Sequence, residues 1–112
     1  MLKLPPNVKV GGHTYRFVWL AKSAEAVDEW MHCDYDAQRI RVHPACKTLD
    51  GSKIAEYVIH EVQHAINEAY GNLDGATEEH FTTQSAKGWL QVYRENPKLF
   101  AYIDALLCTA TA

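Results

Sequence analysis

The chain has 112 residues, 47% of them hydrophobic and 22% charged, with a formal net charge of −3. That length suits one compact domain (residues 1–112) that buries a core without disulfide staples, and the slight acidity supplies no basic field to attract nucleic acid or anionic lipid. No apolar run approaches the roughly 20 residues that cross a bilayer, and Met1 to Val10 lacks an apolar signal core, so the expected setting is cytoplasmic, with neither membrane nor nucleic acid as partner.

In chain order, Leu4-Pro5-Pro6-Asn7 is an extended lead-in, because proline restricts both itself and its predecessor. Val8 to Val10 and His13 to Leu20 flank Gly11-Gly12, a strong turn signal. The second run carries Tyr15, Phe17, Val18 and Trp19, which favour a pleated surface, so a β-hairpin is predicted. Ser23 to Trp30 is polar and reads as a loop or short helix. Met31 to Tyr35 and Arg39 to Val42 flank Asp36-Ala37-Gln38 as a second hairpin, ended by Pro44. The three cysteines, Cys33, Cys46 and Cys108, are odd in number and lack CxxC spacing, and read as reduced thiols.

After residue 50 the strand-rich half gives way to a helical one. Asp50-Gly51-Ser52 is a turn with Ser52 as a candidate N-cap. From Lys53, apolar residues recur at steps of three and four, which predicts a helix to about Tyr70, stopped by Gly71-Asn72. Thr77 caps a second helix to about Glu95, Asn96-Pro97 breaks it, and a third runs from Pro97 to about Leu107 before a frayed tail.

The segment that carries chemistry is His60-Glu61-Val62-Gln63-His64. Residues four apart share a helix face, so His60 and His64 can offer two imidazole nitrogens to one ion. Zinc accepts such ligands tetrahedrally, and a catalytic site takes three protein ligands and leaves one position open. Glu61, beside the first histidine, is the candidate general base for a metal-activated water. The competing reading is an exposed helix with two surface histidines. Against it stand the apolar neighbours Val58, Ile59, Val62, Ala65 and Ile66, which require part of this turn to be buried, and the cluster Glu78-Glu79-His80 at the start of the next helix, which offers a third ligand. His13, His32 and His43 read as strand or loop histidines, one of which could line a cleft. Tyr70 and Tyr93 are helical tyrosines able to donate to an oxyanion but more simply core residues, and Trp19, Trp30 and Trp89 are core or cleft-wall residues.

The stretch from His60 to Ala65 resembles the active-site helix of ImmA/IrrE-like and related small phage-encoded zincin peptidases. The likeness extends from about Val8 to about Leu99, through the Gly-Gly-x-Tyr hairpin, Asp34 to Val42, Glu78-Glu79-His80-Phe81 to Ala86, and Tyr93-Arg94-Glu95-Asn96-Pro97. It implies a gluzincin-like ligand set, in which the third ligand is a glutamate seven residues before an alanine: Glu79 before Ala86. Glu78 is the runner-up, then His80, since SprT-like zincins use a third histidine. A small residue at Ala86 would let the second helix approach the first. The chain departs from the pattern at Ser85, where relatives carry a large apolar residue.

The expectation is therefore an α+β fold, with a small, mostly antiparallel sheet packed on the HExxH helix and a second helix. The expected function is that of a zinc (Zn2+) metallopeptidase acting on a peptide or protein substrate, with Glu61 catalytic and His60, His64 and Glu79 on the metal. The alternative is a catalytically silent zinc-binding module that docks to a host or phage protein, which a closed four-ligand site would favour.

Overall fold

In the computed structural model, which describes residues 3–21, 30–72, 75 and 77–110, the first half of the chain forms a four-stranded sheet and the second half three helices, an α+β fold. Strands β1 (Asn7–Val10) and β2 (His13–Trp19) pair antiparallel around Gly11-Gly12. Both glycines hold positive φ, 58° and 87°, as two-residue hairpin turns require. Gly11 has a second reason to lack a side chain, since a Cβ there would collide with the Ala69 Cβ. Strands β3 (Met31–Asp34) and β4 (Arg39–Val42) form the second hairpin, whose turn is tightened by Asp34 Oδ1 accepting from the Ala37 N–H at 3.1 Å.

The two hairpins join through a parallel β2–β4 pairing, Arg16 opposite Arg39 to Trp19 opposite Val42, which gives the order β1-β2-β4-β3. The sheet is thus mixed, with two antiparallel pairings and one parallel, and β3 is an outer strand. Of the Ser23–Trp30 segment, residues 23–29 lie outside the described part. Pro44 ends β4 and also opens a 3-10 helix, Pro44–Thr48, whose first turn is capped by His43 Nδ1 accepting from the Ala45 N–H at 3.0 Å.

Alternation along the strands buries Val8, Val10, Tyr15, Met31, Cys33, Ile40 and Val42 on one face, and that face receives the helices. Helix α1 (Gly51–Tyr70) lays Ala55, Val58, Val62, Ala65 and Ile66 onto it. Burying each of the larger aliphatic side chains is worth about 1.5–3 kcal/mol. Its N-cap is Asp50 rather than Ser52: the Asp50 carboxylate accepts from the Ser52 N–H at 3.1 Å and from the Ser52 hydroxyl, and these bonds hold it below the usual carboxylate range. The helix consequently starts two residues earlier than Lys53. Gly71 caps the other end in the left-handed conformation.

Helix α2 (Glu78–Glu95) is capped by the Thr77 hydroxyl, which accepts from the His80 N–H at 3.1 Å. Helix α3 (Pro97–Ala110) continues past Leu107, so Cys108 to Ala110 are helical where a frayed tail was expected. Asn96, buried between α2 and α3, ties this end to β1. Its Oδ1 accepts from the Lys9 N–H at 2.8 Å, and its Nδ2 donates to Lys9 O at 2.9 Å and Val92 O at 3.0 Å.

The residue that lets α2 approach α1 is Gly88, not Ala86, which is exposed. A Cβ at Gly88 would collide with Ile66 Cγ2 and stand 3.1 Å from Ile66 Cγ1 and 3.2 Å from Tyr70 Cδ2. Gly88→Ala would gain about 1 kcal/mol of helix propensity against about 1–3 kcal/mol of overpacking. The expected outcome is a lower melting temperature than wild type, with a smaller loss when Gly88→Ala is made in an Ile66→Ala background, where both contacting Cγ atoms are gone; a Gly88→Ala protein that melts higher than wild type would refute this account of the contact.

Candidate metal centre

The step of four between His60 and His64 brings their rings together on the face of α1 turned away from the core. The two Nε2 atoms are 3.1 Å apart, with ring centroids separated by 4.8 Å and planes crossing at 75°. Two nitrogens on a tetrahedral zinc, each about 2.0–2.1 Å from the ion, stand roughly 3.3 Å apart. The pair therefore fits a shared ion with a movement of a few tenths of an ångström, and its separation also suits one imidazole donating to the other.

Both rings line a cleft of about 390 Å³ between α1 and the start of β3. Glu61 lines it too and is only 6% exposed, although its neighbour His60 is exposed. Across the cleft stand Met31, Cys33 and Tyr35 from the β3 hairpin, with Trp30 before it and Tyr57 one turn earlier on α1. Burial, then the charge of Glu61, pushes the Cys33 thiol up to about 12. Burial also raises the Tyr35 phenol, with further contributions from Cys33, Glu68 and Glu61. Both groups keep their protons at neutral pH.

The third-ligand candidates lie elsewhere. Glu78, Glu79 and His80 form the exposed first turn of α2. The Glu79 carboxylate accepts from Thr83 within its own helix at 3.5 Å, and a ring nitrogen of His80 sits 3.1 Å from Gly71 O, at the end of α1. Gly71 is about two helical turns, roughly 10 Å, beyond His64. Among the described residues, no three His, Cys, Asp or Glu side chains gather closely enough to enclose one ion. The structure thus unites His60, Glu61 and His64 and does not bring the Glu78–His80 turn to them.

Of the remaining histidines, His32 lines the cleft, His43 caps the 3-10 helix, and His13 is exposed on β2. Tyr70 OH donates to Gln91 Oε1 at 3.4 Å, and Tyr93, 67% exposed, packs its ring on Phe100, so neither faces the cleft. The tyrosines that do, Tyr35 and Tyr57, escaped sequence reasoning, as did Glu68, whose charge reaches Cys33 and Tyr35. Spacing carried the signal: Tyr57 precedes Glu61 by four, and Glu68 follows His64 by four. The three cysteines are free thiols, as expected, with Cys33 and Cys46 buried. No helix among the described residues is long and apolar enough to cross a membrane.

No known family, curated protein or solved structure matches the chain.

Burial holds the His64 pKa below the ordinary histidine value, with smaller contributions from the charges of His60 and His32. The neutral ring, the form that binds metal, is therefore favoured in the folded state. On acidification the unfolded chain takes up its proton at His64 first, so this group's contribution to stability is present above the ordinary histidine pKa and declines as pH falls below it. In the metal-free protein the His64 ring resonances should titrate at lower pH than those of a free histidine, and His60→Gln should move that midpoint part of the way back. An unshifted midpoint would contradict the burial assigned to the ring.

Proposed function

We propose that the protein is a minimal zincin-like metallopeptidase, which holds zinc through His60 and His64 and hydrolyses a peptide bond with Glu61 as general base. The observation that carries this reading is the convergence of the two Nε2 atoms, 3.1 Å apart, beside a buried carboxylate in an open cleft. Bound zinc would supply polarisation of a water and of the substrate carbonyl. Glu61 takes the proton from the attacking water and returns it to the leaving amine, which its position beside His60 and its reach into the cleft allow. A zinc site of this kind needs a third protein ligand. The resemblance assigns it to Glu79, with Glu78 next and then His80; all three lie on the first turn of α2, away from the imidazole pair, so the reading requires this turn to close on the cleft when metal binds. The outer position of β3 among the described strands, beside the cleft, also supports the reading, since an extended peptide can add to a sheet edge through its backbone.

Purified protein is expected to carry about one zinc per chain. His60→Ala and His64→Ala should each lose most of it, and among Glu79→Ala, Glu78→Ala and His80→Ala the loss should fall on Glu79→Ala. Metal content by mass spectrometry decides this, and full retention in both histidine variants would end the proposal. Chelation should lower the melting temperature, because an ion bound by the folded state alone stabilises it by mass action.

Glu61→Gln separates chemistry from metal binding. It should keep zinc and folding while cutting peptide hydrolysis by about 10²- to 10⁴-fold. Zinc-dependent cleavage equal in wild type and variant would remove Glu61 from the mechanism. A zinc-loaded wild type that cleaves nothing in a peptide library, and whose partner binding survives Glu61→Gln, would instead identify a metal-held docking module.

A further inference from the structure

We propose that the aromatic wall of the cleft, Trp30 and Tyr57, is a subsite for a large apolar or aromatic side chain next to the bond acted on. The inference rests on the proposed metal-centred function and adds a substrate preference to it. Tyr57 precedes His60 by three residues and Glu61 by four, so its ring lies on the same α1 face, one turn from the imidazole pair. Trp30 faces it from the β3 side, their planes 19° apart and their centroids 6.4 Å apart, a spacing within the range of interacting rings. Both are half-buried, and each keeps part of its surface open to the cleft.

The wall is held in place by backbone bonds. Trp30 O accepts from the His43 N–H at 2.9 Å and from the Cys46 thiol at 3.2 Å. Tyr57 is fixed by the middle of a 20-residue helix. One helical turn is about 5.4 Å, and an extended peptide advances about 3.3–3.6 Å per residue. A side chain resting on Tyr57 and Trp30 therefore belongs to the first or second residue from a carbonyl held at the imidazole pair.

The chemistry of the lining selects its occupant. Among the described lining residues there is no lysine or arginine to hold an acidic side chain, and the nearby thiol of Cys33 and phenol of Tyr35 stay protonated. A basic side chain would meet the same end of the cleft as the proposed divalent ion. An uncharged ring or branched aliphatic group is left, and Met31, buried at the base, extends the apolar surface.

Amino-acid hydroxamates test this directly, since one common metal-binding group carries different side chains. Zinc-loaded full-length protein would be titrated by calorimetry with the hydroxamates of phenylalanine, leucine, alanine, lysine and aspartate. Phenylalanine and leucine hydroxamates are expected to bind roughly tenfold or more tightly than the alanine compound, and the charged pair no better than alanine. Trp30→Ala and the milder Tyr57→Leu should each shrink the phenylalanine advantage while zinc content stays near wild type; the backbone bonds of residue 30 survive its substitution, so a lower melting temperature in Trp30→Ala reflects lost packing and not loss of the site. Equal affinity across the series, tightest binding by a charged member, or an advantage untouched in both variants would overturn the subsite and leave the metal centre standing. A chain that takes up no zinc would overturn the proposed function, and this inference with it.

Discussion

Helix α1 has to satisfy two surfaces at once, and the rest of the molecule is arranged around that constraint. Val58, Val62, Ala65 and Ile66 are fully buried against the sheet and the other helices. At 3.6 residues per turn, the same segment turns His60 and His64 out to the cleft. Displacing the helix to suit the histidines would open the core, and repacking the core would move the histidines. The precision of the imidazole pair is therefore inherited from close packing, which tolerates little change in volume.

Polar contacts complete the fixing of α1 on the side facing α2. Gln63, inside the His60–His64 segment, accepts from the Trp89 indole N–H at 2.7 Å and donates to Asn67 Oδ1 at 2.8 Å and Ser85 Oγ at 3.2 Å. Asn72 joins through Ser85 Oγ at 3.1 Å and Asn67 Oδ1 at 3.3 Å. Buried amides are costly unless bonded and directional when they are, so this network sets the rotation of α2 about α1, whereas Gly88 sets the distance. It also accounts for Ser85: a large apolar residue there could not complete the hydrogen bonds of Gln63 and Asn72.

Local signals made much of this legible in the sequence. The Gly11-Gly12 hairpin, the Asp36-Ala37-Gln38 turn, the α1 period and the Gly71 and Thr77 caps all lie where residue chemistry places them. What was not legible depends on partners far along the chain. The parallel β2–β4 pairing joins segments separated by residues 20–38, which include β3, and alternation looks the same in parallel and antiparallel edges. Ala86 and Gly88 are both small residues on α2, and only the packed helices show which one meets Ile66. Asp50 and Ser52 are both good caps, and the 3-10 helix that delivers the chain at Leu49 favours the earlier one. At the site, the His60–Glu61–His64 cluster is local to one helix and was readable. Of the cleft walls, Trp30 and His32 were among the residues read as possible cleft lining, whereas Cys33 and Tyr35 were not, because they arrive from another element.

The charge arrangement behind the cleft bears on the proposed binding of a cation there. Glu61 and Glu68 act together on Cys33 and Tyr35, and Glu68 also acts on the buried Tyr15 phenol, which rises to about 12 mainly through burial. The proton-bearing groups on the sheet side thus stay neutral, and the carboxylates of α1 remain the source of negative potential. Two imidazoles at 3.1 Å cannot both be protonated without repulsion, and burial already disfavours the cation at His64. The pair accordingly favours a state in which at least one ring is neutral and can offer a nitrogen, which supports the proposed metal-binding reading.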